Sequence, residues 1–541
     1  MHNFLTDPLI RIRTHGEKSR ELTLPGVLAA LARDGIASYP GLRPHQTPAW
    51  HMFLVQLAAL ALQRAGERDL SNDADHWAEL LRGLTPEFPA DEPWHLIVED
   101  RAKPAFMQSP ESEGIKYTGV VMAADQLDML ITSKNHDLKQ AIAEQGEADE
   151  WLFALVSLQT GEGYNGAGNQ GIARMNGGSS SRVCMSVTPL PDGGATATPG
   201  LRWRWEVAKL IRVRESELQE WSSLDYPAEG GRSLLWLSPW PEGNQLQFGE
   251  LDIWFIEICR RVRVSAAGKG IIAQVGTSKA ARIDAKSVNG VAGDPWAPVN
   301  IKEGKSLTLG EQPLSYRLLS KLLFGDKDTR DWQLPVLAKI ARPEKKEAGN
   351  WLLSLQVIGR GNSKTYGYRE RYLVLPAAFA EAVSDPEERT EMGEASKALI
   401  ADVSSFKQAM RNAIALFVVG GDDKATISKE DYARAEPFQD RLDAEADRIF
   451  FDHLWRQVEA RRADKARGDG ENTERFKAER RFREELLQIA RELLDEALGS
   501  LPCPAAYRHR ARVRAESQFI GRVFKSFPEL RPEKEAVTDA A

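Results

Sequence analysis

The chain changes character near Pro376, and this change constrains the fold more than any other feature. The residues that follow are poor in glycine, rich in charge and apolar at helical spacing, as at Leu486, Ala490 and Leu493. Short glycine-containing breaks divide this region into four amphipathic segments, which predicts a four-helix bundle. The predicted helices span 385–419, 429–467, 472–498 and 504–524.

The preceding residues alternate between short β-like runs, turns rich in tryptophan, proline and glycine, and a few helices. A chain of 541 residues exceeds what one hydrophobic core usually serves. The sequence therefore predicts an α+β protein, with an irregular mixed α/β domain at 1–376 and an all-α four-helix bundle at 377–541. Within the first domain, helices are predicted at 48–65 and 74–81, and strands at 183–187, 234–237, 251–264, 270–275 and 351–357.

Composition narrows the functional class. The net charge of −7 is unlike that of a free-standing nucleic-acid binder, which is usually strongly basic, so any contact with nucleic acid is expected to be local. The three cysteines lie far apart and form no CxxC pair, which disfavours a zinc site and a disulfide framework and fits a reducing cytoplasm. A cytoplasmic protein without a signal segment or membrane span is expected.

The sequence contains no convincing catalytic motif. His45 and His51 are six residues apart, which does not align two metal ligands on one helix face. Gly166, Gly168 and Gly171 imitate a dinucleotide fingerprint, but the residues after them would break the helix that a pyrophosphate requires. We therefore expect no catalytic residue, no metal and no cofactor. A hydrolase of unknown class is a distant alternative.

The segment 161–182 is rich in glycine, asparagine and serine and reads GEGYNGAGNQGIARMNGGSSSR. Several glycines together favour a sharp turn or a close approach to another molecule, and nucleic acid is one candidate. Arg174 and Arg182 could then meet phosphate, while the amides of Asn165, Asn169, Gln170 and Asn176 suit base edges or sugars. A long flexible surface loop is an equally good interpretation.

Three further polar segments are candidates for contacts with a partner. The segment 359–371 has glycines on both sides of a possible hairpin tip, where Asn362 or Lys364 could enter a DNA groove. Residues 301–305 present lysines at another turn, and 134–139 form a polar turn that we expect to contact a partner. Each of these segments could also be a simple exposed turn.

The predicted bundle carries clustered arginines, which could track a nucleic-acid backbone. Glutamates lie among them at helical spacing, so the same arginines could instead form ordinary ion pairs on a solvated face. The candidates for backbone contact are Arg475, Arg480, Arg481, Arg508 and Arg512.

Taken in order, several segments resemble a known family across nearly the whole chain. They are 3–10, 105–108, 132–137, the AGNQGIARMNGG run, the LLWLSPW segment and the RGNSKTYGYRER loop. This ordered set is similar to the large subunit of the type I-E CRISPR Cascade complex, the Cse/CasA family. The resemblance implies an irregular α/β domain followed by a four-helix bundle, and a non-catalytic, DNA-binding and RNA-binding subunit in antiviral defence. The alternative is a generic RNA- or DNA-binding scaffold of another multi-subunit assembly.

The resemblance also implies a mechanism and partners. Such a subunit recognises the protospacer-adjacent motif (PAM) in double-stranded DNA, starts duplex unwinding, stabilises the R-loop and recruits a helicase-nuclease. Its partners would be crRNA, the target DNA, that helicase-nuclease and the backbone, 5′-handle-binding and small subunits of Cascade, with no membrane involved.

Individual residues carry over by position. The family's glycine loop corresponds to Gly163, Tyr164, Asn165, Gly166, Ala167, Gly168 and Asn169. Its lysine finger corresponds to Lys302, with Lys305 as the neighbouring possibility, and its glutamine wedge to Asn362, Ser363 and Lys364. Asn362 stands where the family often has glutamine and is one methylene shorter. Lys134, Asn135 and His136 resemble the loop that docks onto the 5′ handle of the guide RNA and the neighbouring subunits.

Overall fold

The computed structural model describes residues 2–128, 146–191, 193–268, 270–325, 331–340, 349–361, 364–468 and 472–532. Two compact units form: Met1–Leu314 with Arg330–Ser384, and Ser315–Thr329 with Asp385–Ala541. The first mixes helices with small sheets and the second is helical, so the predicted α+β fold class is confirmed. The division into domains at residue 376 stays a prediction.

The first unit is built on a helix, Thr47–Ala65, that is buried along most of its length. Its helices are α1 (Leu24–Ala32), α2 (Thr47–Ala65), α3 (Ala74–Gly83), α4 (Ala148–Gly161) and α5 (Pro199–Glu220). In α2, even Gln56 is buried, and its side-chain amide donates to the carbonyls of Trp254 and Phe255 at 2.9 and 2.8 Å. Buried polar groups need such partners, so this amide fixes α2 against the neighbouring strand.

The sequence pattern does not predict helix α5, because polar side chains occupy its buried face. Arg202 and Glu206 are buried beside Trp203, and Arg202 donates to Glu206 at 2.8 Å. Glu206 also accepts from the indole of Trp296 at 2.8 Å. These charges conceal the apolar stripe by which an amphipathic helix is recognised in a sequence.

The strands of the first unit form several small sheets. These strands are β1 (Ile10–Arg13), β2 (Ser19–Leu22), β3 (Tyr117–Val121), β4 (Cys184–Pro189), β5 (Arg232–Leu234), β6 (Leu251–Ile256), β7 (Arg261–Ala267), β8 (Gly270–Gly276), β9 (Val299–Asn300), β10 (Lys305–Ser306), β11 (Trp332–Gln333), β12 (Trp351–Gly361) and β13 (Lys364–Leu375). In the sheet β13-β12-β4 the neighbouring strands are antiparallel, and β12 and β13 make a long hairpin. The sheet β3-β8-β7 is also antiparallel and lies beside the glycine-rich run.

The helical unit follows its prediction closely. It differs in two ways: the helix predicted at 429–467 is divided in two, and one further helix joins the unit. A short helix α7 (Ala377–Ser384) ends the first unit, and α8 (Pro386–Val418) begins the bundle, capped by Asp385, whose carboxylate accepts from the backbone of Glu387 and Glu388. The remaining bundle helices are α9 (Lys429–Ala433), α10 (Glu436–Arg467), α11 (Thr473–Ser500) and α12 (Arg508–Ser526). The addition is α6 (Tyr316–Leu323), which precedes the bundle in sequence but belongs to the helical unit.

No helix in the described part of the chain is long and apolar enough to cross a membrane.

Candidate nucleic-acid interface

The glycine-rich run begins directly after α4 and forms a tight, hydrogen-bonded turn. The backbone N–H of Asn165 donates to the carbonyl of Asn169, and the N–H of Asn169 donates to that of Gly166, both at 3.0 Å. Residues 164–167 at the tip are exposed. The turn therefore presents its main chain to solvent in a defined shape.

Four glycines in this run have different physical requirements. A Cβ on Gly163 would lie 2.2 Å from the carbonyl oxygen of Gly178, and one on Gly171 would lie 2.7 Å from the backbone nitrogen of Tyr164. A Cβ on Gly168 would lie 2.6 Å from the Cβ of Thr277. Gly166 has a φ of +89° and faces open space. Three of these glycines thus permit internal packing, and Gly166 leaves room for another molecule.

The possibility that Arg174 and Arg182 meet phosphate is contradicted by the structure, because both side chains are buried and bonded within the protein. Arg174 is buried against the ring of Phe255 and donates to the carbonyls of Ile253 and Phe255, both at 3.0 Å. Arg182 is equally buried and donates to both carboxylate oxygens of Asp294. Burial lowers the pKa of Arg174. Both arginines therefore hold the run to the core.

The side-chain amides of the run form two groups, one bonded within the protein and one without such bonds among the described residues. Gln170 donates to the carbonyl of Ser278 at 3.2 Å, and Asn176 donates to that of Ser306 at 2.9 Å. The side chains of Asn165 and Asn169 make no hydrogen bond with the described residues and stay available at the turn.

The lysine-bearing turn is the tip of the β9–β10 hairpin. Ile301, Lys302 and Gly304 are exposed there. Lys305 is also exposed and forms an ion pair with Glu303. Lys302 has no hydrogen bond or ion pair within the described parts of the chain, so its ammonium group is directed to solvent.

The third predicted segment closes the β12–β13 hairpin. Asn362 and Ser363 lie outside the described residues. Lys364 is exposed, and its ammonium lies 4.4 Å from the ring centroid of Tyr366. Lys134, Asn135 and His136 also lie outside the described residues.

Hydrogen bonds join the three loops where each of them meets the rest of the domain. Asn176, in the glycine-rich run, donates to the carbonyl of Ser306 in β10. The hydroxyl of Ser180 donates to the carbonyl of Ile358 in β12 at 3.0 Å and accepts from the backbone of Leu309 at 3.2 Å. Segments more than a hundred residues apart in sequence are thus held together beneath the three loops.

The overall architecture is shared with solved structures of CRISPR-associated proteins. Cse1 of Acidimicrobium ferrooxidans has a TM-score of 0.61 with this chain at 15% identity, and the match covers 98% of this chain and 99% of that one. The fold is that of Cse1. Cse1 of Thermobifida fusca has a TM-score of 0.62 at 14% identity, covering 97% of this chain and 98% of that one. CasA of Thermus thermophilus has a TM-score of 0.58 at 14% identity, with 97% and 99% covered.

No protein-family model and no curated protein matches the sequence.

In the helical unit of this Cse1 fold, most of the candidate arginines are engaged within the protein. Arg475 and Arg480 form ion pairs with Glu479 and Glu484 at 2.8 Å. Arg512 pairs with Asp495 and Glu516. Arg508 donates to the carbonyls of Leu498 and Gly499 at 3.0 and 2.8 Å, and so caps the end of α11. Arg481 is exposed and has no ion pair or hydrogen bond with another described residue.

The structure also brings together charges that no motif in the sequence connects. Glu162, at the end of α4, lies 2.9 Å from the guanidinium of Arg260, and Arg360 lies nearby at the end of β12. All three are buried, and burial raises the pKa of Glu162. Spacing alone offers no signal for this cluster, because it depends on the packing of a helix and two strands. The described residues contain no group of three or more metal-ligating side chains.

Proposed function

We propose that this chain is the non-catalytic large subunit of a crRNA-guided type I-E Cascade complex. In this role it recognises a protospacer-adjacent motif in double-stranded DNA, starts duplex unwinding, stabilises the R-loop and recruits a helicase-nuclease. The Cse1 fold along nearly the full chain supports this proposal, as does the agreement in order of the sequence segments that resemble the family.

One observation carries the proposal. The exposed turn at Gly166 and the exposed Lys302 belong to segments whose bases are hydrogen-bonded through Asn176 and Ser306. The minor groove is narrow and distinguishes base pairs poorly, so a thin backbone turn together with a cation on a hydrogen-bonded neighbouring segment suits the reading of a short, permissive motif there. Pairing with the guide RNA would provide the remaining specificity.

The net charge of −7 fits a subunit that touches DNA only locally. Neutralising many phosphates requires many cations, and partner subunits would provide most of them. In the same proposal, Lys134, Asn135 and His136 dock onto the 5′ handle of the guide RNA, and Asn362, Ser363 and Lys364 enter the duplex beside the motif.

The decisive experiment reconstitutes the guide-loaded complex with and without this chain. Binding is measured to target duplexes that differ only in the adjacent motif. The proposal predicts motif-dependent binding that requires the chain. Motif-independent binding would favour the alternative, a generic nucleic-acid scaffold.

Two glycine variants test the turn itself. Gly166→Leu should weaken binding to motif-bearing DNA without preventing assembly, because a side chain there occupies the open space in front of the turn. Gly177→Leu is the matched control, since Gly177 is also exposed, has a φ of +76° and would have nothing within 4 Å of an added Cβ. Equal effects of the two variants would contradict the assignment of the turn.

A second comparison tests the wedge. Replacing Asn362 and Lys364 by alanine should slow R-loop formation more than it weakens docking of the guide RNA. The reverse order would indicate a role in assembly.

A further inference from the structure

A cavity of about 330 Å³ lies behind the glycine turn. Asn165 and Asn169 of the turn form one part of its wall, and residues of β3, β7 and β8 form another. Glu162 and Arg360 are among its charged lining residues. The cavity therefore adjoins the predicted DNA-contacting turn, and three neighbouring strands provide a substantial part of its wall.

The charges around this cavity are unequal. Three arginines line it, Arg260, Arg261 and Arg360, against two carboxylates. Glu162 is neutralised by Arg260 at 2.9 Å. Asp128 lies 2.7 Å from the ring nitrogen of His45 and accepts from the amide of Gln46 at 2.7 Å. Arg261 lies 3.6 Å from a carboxylate oxygen of Glu242. Arg360 is therefore the arginine of this lining that has no ion pair among the described residues.

Arg360 is the unexplained member of the cluster. It is 4% exposed, and its Nε and Nη1 atoms are buried without a hydrogen-bond partner among the described residues. Every other buried arginine of the described residues donates to a carboxylate, an amide or a backbone carbonyl through its guanidinium; they are Arg174, Arg182, Arg202, Arg214, Arg260, Arg261, Arg263 and Arg282.

A buried guanidinium without acceptors is costly, because its N–H groups have lost water and gained nothing in return. Burial also lowers the pKa of Arg360. The planar fork of arginine matches the oxygens of a phosphate, which can accept two parallel hydrogen bonds. A ligand with that chemistry would satisfy the donors that the described part of the chain leaves unpaired.

We propose that this cavity binds a phosphate group, with Arg360 as its main ligand and the amides of Asn165 and Asn169 at its entrance. A volume of about 330 Å³ accommodates a phosphate together with an attached sugar. The phosphate belongs either to a nucleic-acid strand that passes the glycine turn or to a free ion. The nucleic-acid source rests on the proposed function, whereas the free-ion source does not.

The first arm of the test uses inorganic phosphate and the full chain alone. Thermal unfolding is followed in phosphate and in chloride at equal ionic strength, and phosphate affinity is measured by calorimetry. We expect phosphate to raise Tm of the natural chain, and Arg360→Gln to weaken phosphate binding by about tenfold or more. The Tm of the variant in chloride reports whether it folds.

Arg20→Gln is the control for the loss of one positive charge, because Arg20 is exposed on β2. It should leave phosphate binding unchanged. The inference is overturned if phosphate does not stabilise the natural chain, or if folded Arg360→Gln responds to phosphate as the natural chain does.

The second arm distinguishes the two sources. Target duplexes carry a neutral methylphosphonate at one linkage at a time near the motif, and binding to the guide-loaded complex is measured. A nucleic-acid phosphate predicts one linkage whose neutralisation weakens the natural complex but not the Arg360→Gln complex. If phosphate binds in the first arm and no such linkage exists, the site takes a free ion. Absence of motif-dependent binding by the natural complex would refute the proposed function and leave the phosphate result standing.

Discussion

Arg182 shows at the scale of a single residue how a cation in a polar loop can serve the core. It forms two hydrogen bonds with Asp294, at 2.7 and 2.9 Å, and both side chains are buried. Arg182→Met should lower the free energy of unfolding by about 3–5 kcal/mol, because Asp294 would stay buried without its partner. Denaturant titration measures the loss.

The double variant Arg182→Met with Asp294→Leu should recover part of that loss, since it removes both charges. If Arg182→Met is as stable as the natural chain, the arginine is free to bind elsewhere and its assignment to the core fails.

Lys209 provides a prediction about pH. It is buried in α5 and donates to the carbonyl of Lys339 at 2.5 Å, and burial lowers its pKa to about 8. The pKa of a lysine in the unfolded chain is near 10.5. Between pH 10.5 and pH 8 the unfolded chain binds a proton that the folded chain does not, so the folded state loses stability as the pH falls through this range. Lys209→Met cannot titrate there. As the pH falls from 10.5 to 8, the free energy of unfolding of this variant should therefore rise by about 2–3 kcal/mol relative to that of the natural chain.

Denaturant titrations at several pH values in this range measure that difference, and other titrating groups cancel in the comparison. Lys18→Met, at an exposed position, controls for the loss of one lysine. A difference that stays constant with pH would show that the Lys209 ammonium is not penalised by burial.

At the scale of elements, the long helices were the most predictable parts of the chain. The helix predicted at 385–419 is observed as Pro386–Val418, because its apolar stripe, its cap at Asp385 and the glycines after it all agree. The pattern over 429–467 predicts one helix, but α9 ends at Ala433 and α10 begins at Glu436 with a proline in its first turn.

The location of the glycine turn was also predictable, but its internal bonding was not. Glycine content marks a turn, whereas the fate of Arg174, Gln170 or Arg360 depends on which carbonyls or carboxylates the distant strands bring beside it. Such pairings are properties of tertiary packing and leave no local pattern.

The basic surface of α11 and α12 yields a prediction with opposite outcomes for two arginines. Arg481→Gln should weaken DNA binding by the guide-loaded complex and reduce the salt dependence of log K by about one. Its effect on unfolding should stay within about 0.5 kcal/mol, because the residue is exposed and unpaired within the described structure.

Arg508→Gln should instead lower the stability by about 1 kcal/mol, since Arg508 caps the last carbonyls of α11. DNA binding as a function of salt, measured beside thermal unfolding, separates the two effects. Equal salt slopes for Arg481→Gln and the natural chain would remove Arg481 from the proposed DNA surface.

At the scale of the whole molecule, the helical unit depends on a segment that precedes it by many residues. In α6, Tyr316 is buried, its ring lies 4.5 Å from that of Phe450, and its hydroxyl donates to Asp443 at 2.7 Å. Tyr316→Ala should lower the stability of the helical unit by about 3 kcal/mol. Hydrogen exchange of α10 measures this effect locally.

Tyr316→Phe keeps the ring and removes only the hydroxyl, so it should cost about 1 kcal/mol. A fragment that begins at Asp385 lacks α6 and should be less stable than the same fragment supplied with a peptide of residues 315–325. If the peptide has no effect, α6 does not complete the helical unit.

The chain crosses between its two compact units three times, and this sets an order for synthesis. Tyr316 leaves the ribosome 127 residues before Asp443, its hydrogen-bond partner. At translation rates of roughly 5–20 residues per second, about 6–25 seconds pass between the synthesis of α6 and that of its partner in α10. The apolar side of α6 is uncovered during this time. We expect chaperones to bind the nascent chain during that interval, and slower translation over 330–440 should increase its aggregation.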